Sequence, residues 1–260
     1  MIGRAVDDPS LKNLIRCMDL TTLEATDDVD RIRRLCCKAR MEDEQVDVRP
    51  YAVCVFPNWV KVAKRELGGS GIRVASVAGG FPLGQSFAEI KCQEVELAVA
   101  DGADEVDVVI SLGKVMQGDF GGAAREIRMM KSSCGEAKLK VILETGVLVE
   151  PERIRKASFS AMEGGADFIK TSTGKTSVGA SLEAAEIMLQ TIQEFHGAHG
   201  KRVGFKPAGG IRKAEDALGY LRLVSDILGP SWLDPELFRI GASSLLDDLI
   251  ARLRSTDPMV

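Results

Sequence analysis

The chain has 260 residues, enough for one large α/β domain with a sizeable core. Its formal net charge of −4 shows no basic excess of the kind that nucleic acid or an anionic membrane surface demands. With 45% apolar but only 5% aromatic residues, the core must come mainly from Val, Ile, Leu and Ala. No run approaches the roughly 18 apolar residues that span a bilayer. The first residues, with Asp7, Asp8 and Pro9 close together, lack the basic and apolar regions of a secretion signal, so a cytoplasmic protein is expected. The six cysteines include no C-x-x-C pair, and the adjacent Cys36 and Cys37 are poor disulfide partners, so free, mostly buried thiols are expected.

Short β-rich runs alternate with longer amphipathic segments, which predicts parallel β/α units. Ile15 to Leu20 is the first expected strand, followed by a helix with Thr26 or Asp27 as its N-cap. Tyr51 to Phe56 is the second and is ended by Pro57; Ile72 to Ala78 is the third and stops at Gly79-Gly80-Phe81-Pro82. Glu105 to Ile110, Leu139 to Leu143, Asp167 to Lys170, Val203 to Lys206 and Leu237 to Ile240 complete a set of eight. Helical patterns fall between them at 87–100, 123–132, 151–163, 182–195, 213–228 and 244–253. The acidic stretch from Arg40 to Pro50 reads as a loop. Eight strand–helix units make a (β/α)8 TIM barrel, here a single domain with a short N-terminal helical extension.

A partial repeat supports this count. Gly102-Ala103-Asp104-Glu105-Val106-Asp107 and Gly165-Ala166-Asp167-Phe168-Ile169-Lys170 each follow an alanine-rich helix and close a strand. They lie two β/α units of about 30 residues apart, which puts Asp107 and Lys170 at matching positions on strands four and six. Alternate strands share a layer of a barrel interior, so both side chains are expected in one layer.

Barrel active sites sit at the C-terminal ends of strands, which singles out Asp19, Cys54, Asp107, Glu144, Lys170 and Lys206. A lysine desolvated in a barrel mouth is disfavoured as an ammonium, and a second cation nearby adds to the effect. Lys170 and Lys206 are therefore both expected to shift toward the neutral amine, the form that attacks a carbonyl to make a Schiff base. The alternative is that each pairs with a carboxylate or reaches solvent. Cys54 fits either a working or a packed thiol.

Three loops favour an anion. Thr171-Ser172-Thr173-Gly174-Lys175-Thr176 follows strand six, Ala208-Gly209-Gly210 strand seven, and Gly241-Ala242-Ser243-Ser244 strand eight and leads into a helix. Glycines let backbone N–H groups approach a phosphate, and barrels of this type use the loops after strands seven and eight for it. Gly174-Lys175-Thr176 is no Walker motif, because Ile169 stands where its first glycine belongs, and no G-x-G-x-x-G follows a strand. The histidines, His196 and His199, are far from the strand ends and read as solvent-exposed residues after a helix; a catalytic zinc would lack ligands.

Five segments together closely resemble the 2-deoxyribose-5-phosphate aldolase family over roughly residues 11–250. They are 19–22, 102–109, 167–175, 204–210 and 241–244. The resemblance implies a cofactor- and metal-independent class I aldolase that cleaves 2-deoxy-D-ribose 5-phosphate to acetaldehyde and D-glyceraldehyde 3-phosphate. It implies that Lys170 forms the Schiff base, that Lys206 lowers its pKa, and that Asp107 moves protons with water. Asp19, Thr173, Gly174, Lys175, Gly209, Gly210, Ser243 and Ser244 would meet the substrate, the last five and Gly174 its phosphate. The expected partner is a small sugar phosphate, and a homo-oligomer is compatible with the sequence. One departure stands out: some members end in a tyrosine that reaches the active site, whereas the tail from Ser255 to Val260 has none, leaving only Tyr51 and Tyr220 in the chain.

Overall fold

The computed structural model describes residues 9–41 and 46–255. Helix α1 (Pro9–Arg16) precedes strand β1 (Met18–Thr21) and α2 (Val29–Arg40); β2 (Ala52–Val55) leads through a short 3₁₀ turn to α3 (Val60–Glu66). Then come β3 (Arg73–Ala78), α4 (Ala88–Ala100), β4 (Glu105–Val109), α5 (Leu112–Met116) and α6 (Phe120–Ser133). The second half holds β5 (Lys138–Ile142), α7 (Thr145–Leu148), α8 (Pro151–Glu163), β6 (Phe168–Lys170), α9 (Leu182–His199), β7 (Gly204–Lys206), α10 (Ala214–Leu228), β8 (Ile240–Ala242) and α11 (Leu245–Ser255). The helices start where a polar side chain can accept from an orphan N–H. Asp28 accepts from the Arg31 amide, Asp119 from Gly122 and Ser181 from Ala184. Pro151 opens α8 where its missing donor does no harm, and Gly200 ends α9 in the left-handed conformation.

All eight strands run parallel in the order β7-β6-β5-β4-β3-β2-β1-β8, and the Phe205–Phe238 and Ala208–Gly241 bridges join β7 to β8 to close the ring. One rung runs through Thr21, Cys54, Ala75, Glu105 and Lys138, and another two residues higher through Asp107, Lys140, Phe168 and Gly204. Carried to β8, the first rung arrives at Pro235, yet β1 pairs Leu20 with Ala242 and so sets Thr21 beside Ser243. The stagger is about eight residues, the shear of a TIM barrel. One residue of stagger per strand step has a direct consequence for the interior. Asp107 and Lys170 lie two rungs apart but two strands apart as well, and so fall into one layer.

Strand alternation then separates two environments. Outward-facing Val106, Val108, Leu139, Val141 and Ile169 pack into the main apolar core under the helices. Inward from the same strands point Glu105, Asp107, Lys140 and Lys170, all buried. Cys54 sits in a small separate cluster with Leu23, Ala75 and Val77.

Several expected boundaries move. Ile15 belongs to α1, where it is buried with Leu11 and Leu14 on one helical stripe, so β1 starts only at Met18. The eighth strand is shifted toward the C-terminus: Leu237 and Phe238 donate to Asp234 in a turn, and the regular ladder begins at Ile240 opposite Met18. The N-cap of α2 is Asp28 rather than Thr26 or Asp27; Asp27 instead accepts from Thr22 and the Glu24 amide within the preceding loop. Part of the loop expected at 40–50 lies outside the described residues. Both histidines lie within α9 rather than beyond it. His196 is half-buried against Trp232, and His199 stacks on Phe195.

Candidate active site

Three lysines meet the carboxylate of Asp107 at the centre of the barrel. Lys170 Nζ donates to Asp107 Oδ2 at 2.9 Å, and Lys206 Nζ donates to the same oxygen at 2.8 Å. Lys140 Nζ holds the other oxygen, Oδ1, at 2.7 Å. Lys206 also donates to Asp19 Oδ2, and Asp19 Oδ1 accepts from Arg239 at 2.7 Å. Lys170 and Lys206 are registered partners on β6 and β7, which brings the two amines to one carboxylate oxygen.

Burial pushes the Lys170 amine below the ordinary lysine value, and the neighbouring Lys206 charge adds to this, only partly offset by Asp107. Lys206 departs from expectation. Burial acts on it in the same sense, but Asp107 and Asp19 outweigh it and hold the ammonium above its usual value. The reason is partner count, since Lys206 has two carboxylates and Lys170 one. Asp107 faces burial too, yet Lys140, Lys170 and Lys206 hold it well below the usual carboxylate range. Burial raises the Cys54 thiol, so it stays protonated beside these groups.

Above the lysine opens a cavity of about 240 Å³. Of the residues singled out from sequence, Lys170, Thr173, Gly174, Lys175, Gly209, Gly210 and Ser243 line it. Asp107 and Lys206 lie just beneath, within reach of Lys170. Asp19 is fully buried and ion-paired below the cavity rather than lining it. Ser244 is not among the lining residues and stands immediately before α11. Ala208, Gly241 and Ala242 from the glycine-rich loops join them, and Thr21, Leu23, Glu24, Ile211 and Arg212 complete the walls. Thr21 closes β1, whereas Leu23, Glu24, Ile211 and Arg212 belong to loops whose approach depends on the folded barrel, so no strand-end rule would single those four out.

The loops are held by specific contacts. Thr171 Oγ1 accepts from the Ala208 amide at 3.0 Å, stitching the β6 loop to the β7 loop. Glu144, buried and at a left-handed φ of 56°, accepts from the Thr173 amide and hydroxyl. Thr173 Oγ1 in turn accepts from the Lys175 amide at 3.0 Å. Gly179 lies so close to the β7 loop that a Cβ there would sit 2.3 Å from the Gly209 carbonyl oxygen. Lys175 Nζ donates to Glu24 at 3.1 Å across the cavity mouth. Neither tyrosine enters the cavity walls: Tyr51 covers Arg239 at the far end of the interior, and Tyr220 is buried in α10. Residues 256–260 of the tail lie outside the described residues. Among the described residues, no group of three or more His, Cys, Asp or Glu side chains could hold a metal ion.

Sequence reasoning missed three charged residues below the site, Lys140, Glu105 and Arg239, each fully or almost fully buried. The signal was present. Lys140 interrupts the apolar run of β5, Glu105 opens β4 and Arg239 directly precedes β8, each beside apolar residues where a charge has no solvent to reach.

The family model of the DeoC/LacD family aldolase matches residues 14–248. The chain belongs to the DeoC/LacD aldolase family. It is 46% identical over 253 residues to the deoxyribose-phosphate aldolases of Bos taurus and Homo sapiens, covering 92% of this chain and 79% of each relative. A putative deoxyribose-phosphate aldolase of Caenorhabditis elegans is 45% identical over 246 residues, covering 94% of this chain and 81% of that one. Among solved structures, a putative deoxyribose-phosphate aldolase from Coccidioides immitis superposes with TM-score 0.79 at 26% identity, over 94% of this chain and 87% of the other. One from Toxoplasma gondii ME49 reaches TM-score 0.83 at 23% identity over 96% of both chains, a likeness of fold. Within the DeoC/LacD family frame, the buried lysines and the glycine-lined cavity occupy the C-terminal end of the strands, where barrels carry their chemistry.

Proposed function

We infer that the protein is a class I aldolase that reversibly cleaves 2-deoxy-D-ribose 5-phosphate to acetaldehyde and D-glyceraldehyde 3-phosphate in deoxyribonucleotide catabolism. The single observation that carries this is Lys170: an amine that lines the cavity, is pushed toward neutrality and touches a carboxylate at 2.9 Å.

The steps follow from that geometry. The neutral Lys170 amine attacks the C1 aldehyde, and with one proton taken up from solvent the loss of water leaves a protonated imine. Asp107, through a water, takes the proton of the C3 hydroxyl; the C2–C3 bond breaks and its electron pair moves into the imine as an enamine. D-Glyceraldehyde 3-phosphate leaves, the proton taken by Asp107 returns through the water to C2 of the enamine, and water hydrolyses the protonated imine to release acetaldehyde, a proton and free Lys170. Lys206 remains an ammonium and keeps Lys170 unprotonated. The phosphate sits against Gly174, Lys175, Gly209, Gly210 and Ser243, with Thr173 beside it and Ser244 next along the loop, so that remote binding orients the reacting end. Asp19 acts from below by fixing Lys206.

No described helix is long and apolar enough to cross a membrane. Free cysteines fit a reducing cytoplasm. Exposed Phe87, Ile90 and Leu97 at helical spacing offer an apolar face for a homo-oligomer, which sedimentation would detect.

Incubation with acetaldehyde and borohydride is expected to leave a reduced two-carbon adduct on Lys170. An adduct on another residue, or none, overturns the reading. A preference for dihydroxyacetone over acetaldehyde as donor would move the substrate to another sugar phosphate.

A further inference from the structure

Beneath Lys170 the barrel encloses a column of alternating charges, of which the reaction scheme leaves Lys140, Glu105 and Arg239 without a role. Lys140 bonds Asp107 at 2.7 Å and Glu105 at 2.6 Å, and lies 3.6 Å from Asp19. Arg239 bonds Glu105 at 2.6 Å and Asp19 at 2.7 Å. The floor is closed by Tyr51, whose ring centroid lies 3.8 Å from the Arg239 guanidinium, and by Phe168 at 5.5 Å. None of the seven charged groups is more than 3% exposed.

Their charges do not balance. Within the buried interior, Lys170, Lys206, Lys140 and Arg239 pair with Asp107, Asp19 and Glu105; Glu236, half-exposed beyond Tyr51, acts on Arg239 from outside. An uncompensated charge in such an interior is costly, so one cation is under pressure to lose its proton. Arg239 cannot deprotonate. Lys140 reaches three carboxylates and Lys206 two, whereas Lys170 has only Asp107 Oδ2, which it shares with Lys206. The surplus proton therefore leaves Lys170.

We propose that Glu105 and Arg239, at the opposite end of the barrel interior from the cavity, are positioning residues that set the protonation of Lys170 through the charge count of this column. The proposal rests on the reading of Lys170 as the Schiff-base amine. Other groups facing Lys170 are Asp107 from β4, Lys206 from β7 and Cys54 from β2, with Lys140 of β5 on the far oxygen of Asp107. Lys175, Arg212 and Glu24 share its cavity.

The test is the acid limb of the pH dependence of kcat/KM, which reports deprotonation of Lys170 in the free enzyme. Glu105→Gln removes a negative charge and moves that limb to lower pH. Arg239→Met removes a positive charge and moves it to higher pH, each by about half a pH unit or more. The double variant Glu105→Gln/Arg239→Met returns the limb to near its wild-type position, which packing damage would not do. Shifts in the same direction, or limbs that stay put in folded variants, overturn the proposal. If Arg239→Met does not fold, the Glu105→Gln limb decides alone. Borohydride trapping of acetaldehyde on wild-type protein separates the two levels. No adduct on Lys170 removes the aldolase reading, whereas an adduct with unmoved limbs removes only the role of the column.

Discussion

The two faces of the same barrel strands are built from opposite chemistry. On β4 the outward Val106 and Val108 join the apolar core, while the inward Glu105 and Asp107 join the ion column. The outward face stabilises the fold in the ordinary way, by removing apolar surface from water. The inward face does not, since buried ion pairs replaced by well-packed apolar groups leave stability unchanged or improved. A barrel of this size could fill its centre with Val and Leu. That it holds seven charges instead ties the interior to chemistry and the exterior to folding.

Substitutions on the two faces should therefore separate activity from stability. The largest effect is expected from Lys170→Leu, which removes the amine: activity should fall on the order of 10⁴-fold or more with the melting temperature unchanged or raised. Retained turnover in a deoxyribose 5-phosphate cleavage assay would break the contrast from the inward side. Leu139→Ala, on the outward face of β5, should do the reverse. It should lose about 2–5 kcal/mol in denaturant unfolding while kcat/KM holds in the folded protein.

The ion column also predicts how stability responds to acid. Asp107, Asp19 and Glu105 are all held below their ordinary values by the surrounding cations, against the opposing effect of burial. Their contribution is complete above the unfolded carboxylate range near pH 4. Below it the unfolded chain takes up protons that the folded interior refuses, and stability declines as pH falls through the lowered values. Thermal melts between pH 6 and pH 3 should record this, and a flat profile would contradict the lowered values.

Two smaller effects sharpen the comparison at its margins. Gly179→Ala would force the β6 and β7 loops apart, because its Cβ meets the Gly209 carbonyl. We expect KM for the phosphorylated substrate to rise about tenfold, with little change for unphosphorylated deoxyribose. Asp28→Ala in the outer ring removes only the cap of α2. It should cost about 1 kcal/mol, a few degrees of melting temperature, and no activity.

The strand count, the parallel barrel and the residues at the strand ends were legible in the chain, because period-two alternation and glycine-rich loops are local signals. Boundaries were less so at β1 and β8. Ile15 and Leu237 have strand-like neighbours, but a helical stripe and the Asp234 turn claim them once the barrel closes. Of the residues picked for the site, Lys170, Thr173, Gly174, Lys175, Gly209, Gly210 and Ser243 share one cavity. Asp19 was visible as a strand-end acid but lies below that cavity, because its carboxylate is taken up by Lys206 and Arg239.

The order of residues alone therefore determined which side chains each strand would turn inward, since alternation is a property of the extended backbone. It also placed the glycines and hydroxyls that shape the cavity. Only the closed, staggered barrel decided how those inward charges meet. Shear brings Asp107 level with Lys170, and the ladder sets Lys206 beside it. Partner number then splits two lysines that look alike in sequence: Lys206, between two carboxylates, keeps its proton, and Lys170, with one shared oxygen, is driven to give its own away.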